Sequence, residues 1–186
     1  MGQDARIEHI HVAPAAAEPM RAVPRARAIA GRGLDGDRYA VGIGHWSPIR
    51  RSGDSLTLIE GEVVDQLRAA HGLGPGDTRR NVTTRGIRLD ELVGRRFRLG
   101  EVECRAVRLC EPCSYLDGLL ERSVLLELVH RGGIRVEILT DGTIAVGDAV
   151  VVLGIDAEKA GEDSVGPSPI VGPSRDVVPS VADSRP

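Results

Sequence analysis

Along most of the chain apolar and polar residues alternate with a period of two, the mark of half-buried strands. In Arg6–Val12 (RIEHIHV) this puts Ile7, His9 and His11 on one face and Glu8, Ile10 and Val12 on the other. Further strands are expected over residues 21–29, 55–59, 79–84, 95–99 and 102–109. Residues 134–139 and 143–146, separated by Asp141-Gly142, read as a hairpin with a DG turn, and 149–153 as the last strand. Twice the period changes to that of a helix. Over residues 60–71 it places Val63, Val64, Leu67 and Ala70 on one face, with Gly72 as the stop, and it returns over 115–130, where Gly118 and Ser123 are points at which the run divides into two short helices. Between these elements lie a glycine-rich loop at 31–39 and a long aperiodic one at 40–53.

Many short strands joined by glycine turns, with two short helical insertions, predict a mainly β fold with short α insertions: a closed, antiparallel-rich β-barrel, PK β-barrel-like. The strand and helix alternation of a doubly wound sheet is missing. With 186 residues there is room for one domain with a full core, here residues 1–154. Residues 155–186 are rich in Pro, Ser, Gly and Asp and carry no periodic apolar face, so they read as a disordered tail.

Composition narrows the function classes. Aromatic residues are only 2% of the chain, so the core must be built from Val, Leu, Ile and Ala, and base-stacking platforms are not expected. A net charge of −3 supplies no general drive toward nucleic acid or anionic membrane. Almost every cation is an arginine, suited to bidentate contact with phosphate or carboxylate; Lys159 is the sole lysine and lies in the tail, which argues against Schiff-base chemistry. The absence of a signal-like or membrane-spanning apolar run predicts a cytoplasmic protein with neither nucleic acid nor membrane as partner.

Three cysteines, two of them in Cys110-Glu111-Pro112-Cys113, do not make a secreted disulfide framework. The CxxC stands where a strand gives way to a helix. A thiolate at a helix start is stabilised by unpaired N–H groups and the positive end of the helix dipole, and Pro112 stiffens the turn that presents it. Cys104, inside a strand alternation, reads as a buried core thiol. His9 and His11 share a face but read first as strand residues and only second as a metal pair. In the glycine loop Arg32 and Arg38 supply charge for an anion, while Asp37 satisfies the local backbone of a tight turn. Arg79 and Arg80, adjacent on a predicted strand, are expected to point to opposite faces, leaving at most one for any pocket.

Taken in order, GLDGDRY at 33–39, SLTLIE at 55–60, RRNVTTRGIRLDELVGRRFRLG at 79–100, LCEPC at 109–113, Gly132-Gly133 and GTIAVGD at 142–148 resemble the MOSC domain, the module named after the C-terminal domain of molybdenum cofactor sulfurases. The resemblance implies a closed β-barrel that binds the molybdenum cofactor (molybdopterin) or handles its sulfur. It assigns Cys113 as catalytic residue and as metal ligand or sulfur carrier, and Arg80 and Asn81 as contacts to the pterin phosphate, with Asp37 and Arg38 of the glycine loop as further cofactor contacts. The implied activity is a molybdenum-cofactor-dependent oxidoreductase acting on a small molecule, by analogy with relatives that reduce N-hydroxylated compounds. Complete reductases of the family carry additional domains that do not fit in these residues, so a separate electron-donor protein, or a sulfur donor, is expected. Pyridoxal phosphate, mentioned for fused sulfurases, does not suit a chain whose one lysine is in the tail. The alternatives are a sulfur carrier holding a Cys113 persulfide, a non-enzymatic cofactor-binding module, a thiol–disulfide protein and a structural zinc site.

Overall fold

The computed structural model describes residues 5–45, 47, 52–120 and 123–155. In chain order the strands are β1 (Arg6–Val12), β2 (Arg21–Val23), β3 (Arg25–Ile29), β4 (Gly33–Leu34), β5 (Leu56–Glu60), β6 (Val82–Arg85), β7 (Arg95–Leu99), β8 (Val102–Leu109), β9 (Ile134–Ile138), β10 (Gly142–Ala145) and β11 (Val150–Ile155). Helix α1 (Gly61–His71) joins β5 to β6, and α2 (Ser114–Leu120) and α3 (Leu125–Leu128) lie between β8 and β9. The reading of 155–186 as a tail falls, from residue 156 on, outside the described residues; Ile155 itself belongs to β11.

Eight strands form one sheet in the order β11-β7-β8-β9-β5-β6-β1-β2, and β10, β3 and β4 form a second. Neighbours are antiparallel except β5 and β6, whose parallel pairing requires the crossover that α1 supplies. The expected closed barrel is corrected to an open one: the large sheet curls strongly into a half-barrel. At the seam no strand ladder joins β1 to β11; the contact is the isolated Arg6–Ala149 bridge together with backbone bonds from the Ile7 N–H to the Asp148 carbonyl, the Gly147 N–H to the Ile7 carbonyl and the Val150 N–H to the Ala5 carbonyl.

The interior is aliphatic, as composition requires, with Ile7, Ile10, Leu58, Val82, Leu99, Ile134 and Val136 among its buried members and the single phenylalanine, Phe97, fully enclosed. A second cluster joins Val63, Val64 and Leu67 of α1 to Leu116, Val124 and Leu128. It seats α2 against α1 and thereby fixes the turn between β8 and α2. Helix α1 ends where expected, its cap at Gly72 donating to the Arg68 carbonyl, but Ala70 faces solvent and Gly61 takes its place on the buried side. The helical run after Cys113 is interrupted at Ser123, one of the two expected points, whereas Gly118 sits inside α2 instead of breaking it. Among the described residues no helix is long and apolar enough to cross a membrane.

Three strand expectations are overturned by long-range pairing. Residues 134–146 do not form a hairpin: β9 pairs with β5 and β8, whereas β10 pairs with β3 in the other sheet. The Asp141 carboxylate accepts from the Ala30 N–H, 2.7 Å away, and ties the DG turn to the second sheet. Residues 21–29 split at Pro24, which has no N–H to donate, so β2 stays with β1 while β3 joins β10. In β1 the register slips between Ile7 and His9, a bulge that turns Ile7, Ile10 and Val12 all toward the core and breaks the strict alternation.

The bulge also buries His11, which is 6% exposed and whose Nδ1 finds no hydrogen-bond partner. Burial, then the neighbouring His9, hold its pKa below the ordinary value, although Asp77 pulls the other way. The unfolded chain therefore takes up this proton at higher pH than the folded one, so protonation favours unfolding. His11 should leave stability untouched above about pH 6.5 and remove it progressively below. Thermal unfolding of wild type and His11→Gln across that range should show the steeper acid loss in wild type; parallel curves would contradict it.

Candidate functional site

The CEPC turn is built by backbone contacts on both sides. Where β8 ends, the Cys110 N–H donates to the Gly133 carbonyl at 2.8 Å, and the Cys110 carbonyl accepts from Arg80 Nη2 at 3.0 Å. Cys110 is 2% exposed. Three residues on, the Cys113 carbonyl accepts from Leu116 N–H at 2.9 Å and opens α2, while its half-buried thiol rests beside the second core cluster. Between them, burial pushes the Glu111 carboxyl up, but bonds from the His130 N–H (2.9 Å) and His130 Nδ1 (2.8 Å) outweigh it and hold the group below the ordinary carboxylate value. Cys104 lies in β8 with no exposed surface, its pKa pushed up to about 12 by burial and secondarily by Glu103, the signature of an inert core thiol.

The turn borders a cleft of about 50 Å³, onto which the half-buried Cys113 opens and whose wall includes Arg38, Arg79, Arg80, Arg135, Tyr39 and Tyr115, with Glu111 as its one carboxylate. Four arginines thus line a space with room for a few waters. Arg80, 8% exposed, donates from Nε to the Gly132 carbonyl (2.7 Å), from Nη1 to Thr78 (2.9 Å) and from Nη2 to Cys110, so it ties the residues before β6 to both sides of the turn. Arg38 is buried beside Asp37 at 3.0 Å and stacks over Tyr39, 4.8 Å from the ring centroid. Asp37 and Asn81 stand behind the wall, outside its lining. The Asp37 carboxylate accepts from Ala13 N–H, Tyr39 N–H, Arg38 and Asn81 Nδ2, while Asn81 Oδ1 accepts from Thr57 Oγ1 at 2.9 Å. Their polar atoms are engaged within the protein, and they lock the glycine loop to the segment carrying Arg80.

Arg79 corrects the expectation of opposite faces. It precedes the strand, which begins at Val82, and its backbone is left-handed with φ 61°, so both arginines of the pair reach the same cleft. Burial, followed by the nearby Arg38 cation, holds the Arg79 guanidinium below its ordinary pKa.

Arg135 went unforeseen. It sits directly across from Arg108 in the β8–β9 ladder, a like-charge pair made tolerable by Asp54, whose Oδ1 accepts from Arg108 (2.8 Å) and Arg135 (2.9 Å). The charged residues at alternate positions of β9 were the only sequence trace of a polar outer face there. Tyr115, stacked face to face with His45 at 3.8 Å, likewise carried no local signal of a role. His9 and His11 have ring centroids 6.1 Å apart, and among the described residues no three His, Cys, Asp or Glu side chains converge as metal ligands. A larger hollow of about 440 Å³ between α1 and the loop after β6 contains no cysteine; in its lining Arg88 pairs with Asp90, and Arg131 donates to the amide oxygen of Gln66.

Comparison with known proteins adds the following. The model of the MOSC domain matches residues 51–151. No curated protein matches. Among solved structures, the YuaD protein from Bacillus subtilis superposes with a TM-score of 0.64 at 16% identity, covering 83% of this chain and 98% of that one. YiiM from Geobacillus stearothermophilus gives 0.61 at 14% identity, covering 80% and 75%, and YiiM from Escherichia coli 0.55 at 15% identity, covering 80% and 69%. At these identities the likeness is one of fold.

Proposed function

This chain belongs to the MOSC domain family, and from that membership we propose that it binds the molybdenum cofactor in the arginine cleft, with Cys113 as the sulfur that meets the metal. The observation that carries the reading is the convergence of four arginines on a cleft that is also lined by the half-buried Cys113. The donor chemistry fits: thiolate sulfur is a soft ligand for a heavy transition metal, and guanidinium forks match a phosphate. When bound, the cofactor supplies two-electron redox chemistry. The chain's own residues position it: Arg80 holds the CEPC turn, Asp37 and Asn81 hold the wall, and Asp54 aims Arg135. The activity we propose is reduction of a small N-hydroxylated compound, with electrons from a separate donor protein.

A sulfur-carrier reading is favoured by one observation, the small free volume. A persulfide on Cys113 adds a single sulfur, which about 50 Å³ accommodates without any movement. Protein purified from a host that makes the cofactor separates the two. The cofactor reading expects molybdenum and pterin in near-equal amounts, approaching one per chain. If both are absent and cyanolysis releases thiocyanate from wild type but not from Cys113→Ser, the carrier reading replaces it.

A further inference from the structure

A segment of the chain borders the cleft at Ala16. Residues 14–20, PAAAEPM, run without regular structure between β1 and β2, small-residued and mostly exposed. They are tied down through backbone carbonyls. The Ala16 carbonyl accepts from Arg79 Nη2 at 2.7 Å and from Tyr115 Oη at 2.9 Å, and the Glu18 carbonyl accepts from Arg79 Nη1 at 2.8 Å. Met20 meets Arg38 Nη1 through its sulfur at 3.2 Å. Ala16 itself forms part of the cleft wall.

We propose that residues 14–20 are a strap over the cleft and that Arg79 is its exchangeable latch: an anionic group entering the cleft takes the Arg79 guanidinium from the Ala16 and Glu18 carbonyls, and the strap lifts. The inference rests on the anion-binding reading of the cleft. Carbonyls are the weaker partners, because they are neutral acceptors, whereas a phosphate adds direct charge attraction and can take the planar guanidinium fork with two parallel bonds. Arg79 also sits beside the Arg38 cation, where an anion relieves repulsion and a carbonyl does so far less. Its left-handed backbone, unusual for a residue other than glycine, points to a conformation imposed by surrounding contacts. No strap side chain other than Met20 has a described polar contact with the cleft, so lifting the strap breaks few bonds and leaves the barrel core intact. The ligand class is one with a compact polyanionic end, such as a phosphate ester.

The test uses the full chain, inorganic pyrophosphate as the probe, calorimetry for binding and elastase cleavage after Ala15, Ala16 or Ala17 as the readout of strap release. Pyrophosphate should bind wild type and speed cleavage in the strap severalfold. Tyr115→Phe removes one strap bond and keeps every arginine, so it should be cut about fivefold faster without anion and bind pyrophosphate more tightly by a similar factor. Arg79→Ala should be cut fast with or without anion. Binding to Tyr115→Phe but not to wild type also supports the latch, since the closed strap then excludes the probe. Binding to wild type with unchanged or slower strap cleavage, or an Arg79→Ala strap still responsive to anion, overturns the latch and leaves the anionic cleft standing. Binding to neither wild type nor Tyr115→Phe overturns the cleft reading and the latch with it.

Discussion

Cys113→Ser is expected to lose molybdenum retention or persulfide formation by tenfold or more, on the order expected for removing the reacting sulfur, while its melting temperature stays within a degree or two of wild type. The side chain is half-buried at the cleft, so a hydroxyl there keeps contact with water, and the turn is held by backbone bonds that serine preserves. Cys110→Ser should behave in the opposite way. At 2% exposure its sulfur is enclosed, and a hydroxyl put there without a designed partner costs about 1–3 kcal/mol. Its carbonyl still receives Arg80, so most of the bound metal or persulfide should survive in the molecules that remain folded. Molybdenum and persulfide per chain, read beside thermal unfolding of both variants, check this. Equal loss of function in the two variants at equal stability would mean that the cysteines act as a pair.

Gly133→Ala should be the most damaging small substitution near the site. Gly133 has φ 91°, a region that side chains disfavour, and a Cβ there would be driven into the Leu58 carbonyl oxygen. Leu58 is paired with Ile134, so the clash can be relieved only by opening the β5–β9 ladder at its first rung. The Gly133 carbonyl also holds the Cys110 N–H, and its displacement loosens the CEPC turn. Strain and overlap together predict a loss of about 4 kcal/mol or more and a fall in melting temperature of about 10 °C. Gly147→Ala provides the comparison: φ is 96° but nothing lies within 4 Å of the added Cβ, so only the backbone cost of about 1–2 kcal/mol is expected. Similar losses in the two variants would show that conformation alone, without the Leu58 contact, sets the cost.

Much of this molecule was legible without coordinates because the forces involved are local. Period-two alternation marked nearly every strand, the helical spacing and Gly72 bounded α1, and two cysteines around a proline at a strand-to-helix junction marked the turn at which the cleft stands. The scarcity of aromatic residues foretold a core built from Val, Leu, Ile and Ala, to which the structure adds Phe97. Local pattern could not tell which strand pairs with which. A DG turn looks the same whether it closes a hairpin or carries the chain from one sheet to another, and here Ala30, distant in sequence, holds Asp141. The bulge in β1 reverses the faces of a seven-residue strand because Ile7, Ile10 and Val12 all gain more inside the sheet than a regular register would allow them. The same holds for the arginines. Sequence placed Arg79 and Arg80 side by side and assigned them opposite directions, but carbonyls at Ala16, Glu18, Cys110 and Gly132, supplied by segments far along the chain, decide where each guanidinium lies. Arg135 enters the cleft only because Asp54, folded in from before β5, offsets the repulsion between it and Arg108. The sequence by itself determined the elements and the turn that presents the thiol, since both follow from neighbours along the backbone; the curvature and openness of the sheet, the convergence of four cations on one cleft and the strap above it were decided by tertiary contacts, since each depends on partners that only the folded chain brings within hydrogen-bond reach.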